Sequence, residues 1–534
     1  MGPRGAPEGA PADSERERRR LERVRDRFAV ALLPARTGAA LLRGAARDFD
    51  SEGLCLESPE PLEPGTAVRA SFKLPESLTR PFRGMPCKLP ARVRAVRETK
   101  RTDNPYDVIL QWRMPLPVLV ARAVTSHQRQ IGAIIVGIIG AVMYLNARTM
   151  AFFWYSPFVY VYTMLLAIYF ISRFVLSSLH RNPPLVGYTP AISIIISVRN
   201  EQDAIARTLD ACYAADYPPD KREVLVVNDG STDGTGDVLE ECRKKHPGLK
   251  VFTLPPSGKR HGMATGVRNA AGEIVVFVDS DTFLFPTALR HIVAGFDDPT
   301  LGASAGHTEV ENAGVNWLTG LQDVRYYLSF KLMKTAESVF GLVTCCPGCL
   351  SAYRREYLLK ILDAWLNQMF LGAPATFGDD RSLTNYILRD HRVIYNEDAI
   401  CTTLVPETWK RYLTQQVRWK KSWLRETLRA ACYMHRKHPI GAASFYITSA
   451  CSVLSPLMCV KLFYVLVTQR QLNLFYYSTG ITLMALLQCL YVLRKRPSSR
   501  WLLGFLMVAA QVVIMGPQTY YAILTMRKNH WGTR

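Results

Sequence analysis

The sequence lacks an apolar stretch near its start. Residues 1–27 are polar and Arg-rich, without the hydrophobic segment of a cleaved secretory signal. It also lacks a cysteine framework: the 12 cysteines are scattered, and the one CxxC (Cys346, Cys349) has no second pair at zinc-site spacing. That excludes a disulfide-stapled scaffold and a four-cysteine zinc module, and predicts reduced cytoplasmic or membrane-embedded thiols. Acidic residues are few, 45 against 66 Lys and Arg, for a net charge of +21. Ionisable groups are missing from the first two apolar runs up to the flanking Arg173. An ion or solute transporter would place them there, and Lys461 in a later run is the exception.

What is present is a mixture. The 534 residues suffice for two or three domains. A hydrophobic share of 48% and a mean hydropathy of +0.01 are too apolar for an average soluble chain and too polar for one built of spans. Apolar residues gather at 131–146, about 151–178, 440–467, 473–493 and 501–525. Basic residues flank these runs (Arg122, Arg129, Arg173, Arg181, and RKRPSSR from Arg494 to Arg500), so a lipid bilayer outranks nucleic acid as the partner. The basic side is expected to be cytoplasmic. Gly516-Pro517 interrupts the last run and predicts a re-entrant or interfacial helix pair. The expected organisation is a flexible Arg-rich segment (1–27), a small all-β domain (28–120), a transmembrane hairpin (128–180), an α/β domain (188–438) and C-terminal helices (439–534).

Within the α/β segment, AISIIISV, EVLVVND, KVFTL and EIVVFVDSD are short β-branched runs ending in polar clusters, the pattern of buried parallel strands in βαβ units. Open α/β sheets bind ligands at the carboxyl ends of their strands. Asp229 ends one run, where it could hold a base or ribose. Asp279 and Asp281 end another, spaced to bridge Mg²⁺ or Mn²⁺ to a diphosphate. Gly378-Asp379-Asp380-Arg381 sets two carboxylates before a helix, one of which could act as a general base; an N-cap with a salt bridge is the plainer alternative. Gln415, Arg418 and Trp419 add a phosphate-binding guanidinium and a flat face for a sugar; alone they would read as a surface helix.

In this order, VNDGSTD, VDSDT, GDDR and QQVRW with flanking apolar runs resemble the processive membrane class of family 2 glycosyltransferases, over residues 190 to 534. CCPGCLSAYRR, GDDRSLTN, QQVRWKKSW and the terminal WGTR are most similar to hyaluronan synthases and their chitin-synthesising relatives. The resemblance implies a GT-A-like α/β domain embedded between transmembrane helices. It implies an inverting hexosyltransferase that polymerises a UDP-activated sugar, UDP-GlcNAc or UDP-GlcA, in the inner membrane of the cell, with export proteins as further partners. By it, Asp229, Lys259 and Arg260 contact the nucleotide, Asp279 and Asp281 hold metal and diphosphate, and Asp380 is the base with Asp379 in support. Gln415 and Arg418 lie at the pyrophosphate, Trp419 at the mouth of a channel for the growing polysaccharide, and Cys345, Gly348 and Arg354 line the acceptor. Trp531 gates the site, and Thr533 and Arg534 close over the nucleotide. Two departures are the CPGC sequence (346–349) in place of the usual small-residue stretch and an end at WGTR. Alginate-type polymerases, which use a GDP-uronate, share GKR, DxDT and GDD segments and are the rival.

The all-β segment carries its own resemblance. Arg19 and Arg23 form an RxxxR element and Asp48 to Gly53 form DFDSEG, similar to the PilZ domain, with Asp50 at the serine position. The resemblance implies a small all-β fold and c-di-GMP as an allosteric ligand, gripped by Arg19, Arg23, Asp48 and Gly53. An inactive transferase serving as a c-di-GMP receptor is a further alternative, which the four separated carboxylates oppose.

Overall fold

The computed structural model describes residues 28–34, 42–49, 53–73, 86–99, 101, 104–112, 128–141, 144, 157–469, 473–495 and 499–527. They fall into two units, one drawn from Met1–Gly140 with Leu487–Trp501, the other from Ala141–Leu486 with Leu502–Arg534.

In the first unit, β1 (Phe28–Pro34), β2 (Leu42–Phe49), β3 (Gly53–Ser58), β4 (Ala67–Lys73), β5 (Pro86–Glu98) and β6 (Tyr106–Trp112) close into a barrel of order β1-β2-β3-β6-β5-β4. Every pairing is antiparallel. Alternate residues point inward, as in Val68, Ala70 and Phe72 or Val108, Leu110 and Trp112, and fill the interior. Gly53 opens β3, where a Cβ would lie 2.2 Å from the Leu110 carbonyl oxygen, so strand packing alone already requires glycine. Asp48 sits on β2 opposite Cys55, beside a bulge. Arg19 and Arg23 lie outside the described residues.

The second unit is built on an eight-stranded sheet. Its first strands are β7 (Ile192–Val198), β8 (Arg222–Asp229), β9 (Lys250–Leu254) and β10 (Ile274–Phe277). They pair in parallel in the order β10-β7-β8-β9. Neighbouring residues on β7 are buried on opposite faces: Ile194 and Ile196 pack in one core, Ile195 in the other. That is why the run is continuously apolar rather than alternating. Helices α1 (Pro157–Leu179), α2 (Ile205–Ala214), α3 (Thr235–Lys245) and α4 (Lys259–Asn269) belong to this unit; Leu209 of α2 and Leu239 of α3 cover one face of the sheet, Met263 and Val267 of α4 the other. These four are the parallel strands expected over residues 191–281, and the rest of the sheet is mixed. Beyond β10 come β11 (Thr282–Leu284), β12 (Leu301–Val310), β13 (Ser351–Arg354) and β16 (Arg392–Thr403), in the order β11-β16-β12-β13-β10. Here β13 runs antiparallel to both β10 and β12. A small hairpin, β14 (Met369–Phe370) and β15 (Ala373–Pro374), turns on Leu371 (φ 51°) and Gly372 (φ 78°).

His307 of β12 is 1% exposed; its Nδ1 lies 2.9 Å from the Tyr395 hydroxyl. Burial, then the nearby Lys331, lowers its pKa to about 4, with Glu309 opposing. A folded pKa below the unfolded value means the unfolded chain takes up this proton first. Stability is therefore intact above about 6.5 and is lost as pH falls toward about 4, by about 3 kcal/mol for this one group. His307→Asn is expected to flatten the fall in thermal midpoint across that window, read by scanning fluorimetry.

The remaining helices include α5 (Trp317–Leu328), α6 (Arg355–Leu366), α7 (Asp379–Leu388), α8 (Trp409–Met434), α9 (Pro439–Gln469), α10 (Asn473–Lys495), α11 (Leu503–Ala510) and α12 (Gly516–Leu524). Among the described residues one helix, Pro439–Met458, is long and apolar enough to cross a membrane. Gln128–Ala141, Met164–Leu179 and Thr482–Arg494 are shorter apolar stretches. The break expected at Gly516-Pro517 is instead a π-turn, Gln511–Met515, that joins α11 to α12 in one helical run. Pro517 has no N–H to give the preceding turn, and the wider turn accommodates that loss.

Candidate active site

Asp279 and Asp281 follow β10, beside β7, where the strand order switches direction. Lys259, the first residue of α4, ion-pairs with Asp279 Oδ1. Burial works against the Lys259 charge, but Asp279, and then Asp379 and Asp380, hold its pKa above the ordinary range. The Asp281 carboxyl is pushed up to about 6, by burial first and by Asp279 second, with Lys259 and Thr403 opposing. The Thr403 hydroxyl lies 3.4 Å from Asp281 Oδ1. Gly348 faces this pair: a Cβ there would lie 2.8 Å from Asp279 Oδ2.

The two hard carboxylates fit a divalent cation, because a bound cation would relieve their mutual repulsion, which adds to burial in raising the Asp281 pKa. Among the described residues no group of three His, Cys, Asp or Glu forms a metal cluster. Phosphate oxygens and water would therefore complete the sphere, which suits Mg²⁺ or Mn²⁺.

Asp379 and Asp380 open α7, where unpaired backbone N–H groups favour negative charge. Their environments differ. Asp379 is 5% exposed and its Oδ1 accepts from Arg260 Nε at 2.6 Å. Asp380 is half-buried; its Oδ1 accepts the Arg381 N–H at 2.8 Å, and Cys345 Sγ lies 3.7 Å from its Oδ2. Burial, then Asp380, raises the Cys345 thiol, and burial, then Asp279, raises Cys349 well above its usual value, so both stay protonated. Gly378 sets the turn with φ 75°, and a Cβ there would meet Ser422 Oγ at 1.8 Å. Gly378→Ala is expected to lower the thermal midpoint by a few degrees. Adding Ser422→Gly should relieve the contact but not the backbone strain of about 1–2 kcal/mol.

From α8, Arg418 reaches the same acids: burial lowers its pKa, while Asp379, Asp380 and Asp279 pull the other way. Trp419 is 38% exposed, its ring 6.4 Å from Tyr326 and 6.0 Å from the Arg325 guanidinium. Gln415 is partly buried, and the fully buried neighbour is Gln416, which accepts from Arg325.

Three expected ligands stand elsewhere. Asp229 is 3% exposed; its Oδ1 accepts the Ser257 and Gly258 N–H groups at 2.7 and 3.0 Å, so it clasps the loop before α4. Arg260, 4% exposed, is turned inward to Asp379, the Trp365 carbonyl and Gln368. Arg354 pairs in register with Ile274 at the start of β10, the opposite end from Asp279. There it bonds Glu273 and the carbonyls of Phe296 and Asp298. Trp531, Thr533 and Arg534 lie outside the described residues. Conversely, Tyr326 and Thr403 join the acids without a sequence signal, because they arrive from α5 and β16, and Cys349 of the CPGC stretch joins them from the loop before β13.

Residues 193–362 match the family model described as glycosyl transferase family 2. Hyaluronan synthase from Streptococcus pyogenes is 31% identical over 387 residues, which cover 70% of this chain and 90% of that protein. An N-acetylglucosaminyltransferase from Rhizobium meliloti is 32% identical over 352 residues, covering 65% of this chain and 82% of its own. Among solved structures, a mannosyltransferase from Pyrobaculum calidifontis in complex with GDP-Man and Mn²⁺ aligns with 66% of this chain and 99% of its own. Its 23% identity and TM-score of 0.46 are too remote to bear on chemistry.

Proposed function

The chain belongs to glycosyl transferase family 2, and on that premise we propose that it is a processive, inverting hexosyltransferase that builds a polysaccharide from a UDP-activated sugar. The observation that carries this reading is the convergence of Asp279, Asp281, Lys259, Asp380 and Arg418 from four separate segments. The similarity to a hyaluronan synthase and an N-acetylglucosaminyltransferase favours UDP-GlcNAc and UDP-GlcA as donors.

Asp380 takes the proton of the acceptor hydroxyl as that oxygen bonds to the anomeric carbon, and the nucleoside diphosphate leaves from the opposite face. Lys259 and Arg418 place positive charge where the leaving diphosphate gathers negative charge. Asp279 and Asp281 would hold Mg²⁺ or Mn²⁺, which when bound neutralises that diphosphate. Trp419 offers its face to the acceptor sugar. Asp379, paired with Arg260, supports the helix that presents Asp380. Gln415, Thr533, Arg534 and Trp531 complete the nucleotide and gating contacts of the reading.

Outward-facing apolar side chains on α1 (Val161, Ile168, Val175) and α9 (Leu457, Val460, Tyr464) support a multi-pass chain in the inner membrane, with the transferase domain cytoplasmic and the product threaded through the helices. The closed barrel supports a PilZ-like domain that takes c-di-GMP through Arg19, Arg23, Asp48 and Gly53. Purified protein is to be incubated with radiolabelled UDP-GlcNAc, UDP-GlcA and GDP-mannuronate, with and without c-di-GMP. Polymer from the UDP sugars is the expected result. Polymer from GDP-mannuronate alone would overturn the donor assignment, and indifference to c-di-GMP together with no binding would remove the regulatory half.

A further inference from the structure

Beneath the acids lies a buried polar chain that touches neither donor nor acceptor. Gln368, 2% exposed, sits just before β14 and bonds three elements through one carboxamide. Its Oε1 accepts from Arg260 of α4 at 3.0 Å and from Ser382 of α7 at 2.5 Å; its Nε2 donates to Glu426 Oε1 of α8 at 2.8 Å. Only this orientation works, because a flipped amide would face two donors with a third. Glu426 is fully buried and also accepts from Arg425 Nε at 2.7 Å. Arg425 donates to the Phe377 carbonyl at 2.6 Å, one residue before the Gly378 turn. Asn385 of α7 donates to the Glu426 carbonyl at 3.0 Å. Four buried charges (Asp379, Arg260, Glu426, Arg425) are thus tied into one relay.

We propose that Gln368 and Glu426 are positioning residues that lock the register of three elements: α4, whose Lys259 holds Asp279; α7, whose first turn presents Asp380; and α8, which carries Arg418 and Trp419. The amide holds the donor side to the acceptor side, so that the base stays aligned with the sugar to be attacked. The balance of charge requires a neutral bridge. A carboxylate at 368 would still receive Arg260 and Ser382 but would set like charges against each other in a dry interior.

This inference rests on the sugar-transfer reading. Its test is an exchange of the bridge. Gln368→Glu is expected to lower kcat at least tenfold while the donor KM and the UDP dissociation constant with Mn²⁺ stay within about twofold of wild type, since a shift of an ångström between base and acceptor costs rate rather than donor affinity. Combining it with Glu426→Gln restores the charge count and a donor opposite the new carboxylate but gives up the bond that the same Glu426 Oε1 accepts from Arg425 Nε, so kcat should recover in part, several-fold above the single variant. Gln368→Met, which keeps the volume and loses all three bonds, should show the same split without rescue by Glu426→Gln. Unchanged kcat in Gln368→Glu overturns the proposal, as does a folded double variant no faster than the single one. Should Gln368→Glu not accumulate as folded protein, joint recovery of fold and kcat in the double variant supports the bridge, and fold without kcat overturns it. A wild-type chain that transfers no sugar overturns the functional reading and this inference with it, whereas an active wild type with an indifferent Gln368→Glu sinks this inference alone.

Discussion

Asp380→Asn is expected to reduce polymer formation by about 10²–10⁴-fold, the range for loss of a positioned general base, while UDP binding in the presence of Mn²⁺ stays near that of wild type. The amide keeps the shape of the side chain and can still accept the Arg381 N–H, so α7 should keep its first turn. What it loses is the ability to take a proton. Titration calorimetry with UDP beside a radiolabelled elongation assay separates binding from chemistry. Elongation that survives the substitution would remove Asp380 from the role of base, and Asp379 could not replace it without releasing Arg260 into a dry interior.

The opposite pattern is expected at the strand end. In Asp281→Asn the repulsion between two carboxylates disappears and so does one of the two carboxylates proposed to hold the metal. UDP binding in EDTA should be unchanged, the strengthening by Mn²⁺ should fall by about tenfold or more, and polymer formation should fall with it. A variant that still binds UDP more tightly with Mn²⁺ to the wild-type extent would place the cation elsewhere. Together the two substitutions are expected to divide the site: one should keep donor binding and lose the reaction, the other should lose donor binding through the metal.

Much of the sheet could be read from the chain because burial on both faces writes itself as uninterrupted β-branched runs, as in ISIIISV. The antiparallel strand Ser351–Arg354 could not, since four residues carry too little pattern. The acids at the site were legible by type and order. Which way each side chain turns was not. Asp229 and Arg260 carry the right chemistry for a nucleotide, yet one is taken up by two backbone N–H groups and the other by Asp379. Sequence spacing states what a residue can do and says nothing of which partner reaches it first. Glu426, fully buried on α8, is a case in which no sequence pattern marks a buried charge.

The barrel of the first unit closes strand to strand, so it has no edge with a free row of backbone N–H and C=O groups. A peptide cannot join it as an extra strand. Whatever it recognises must be met by side chains and by the segments between strands. Affinity there can change by a single substitution in an outward side chain while the barrel itself stays as it is.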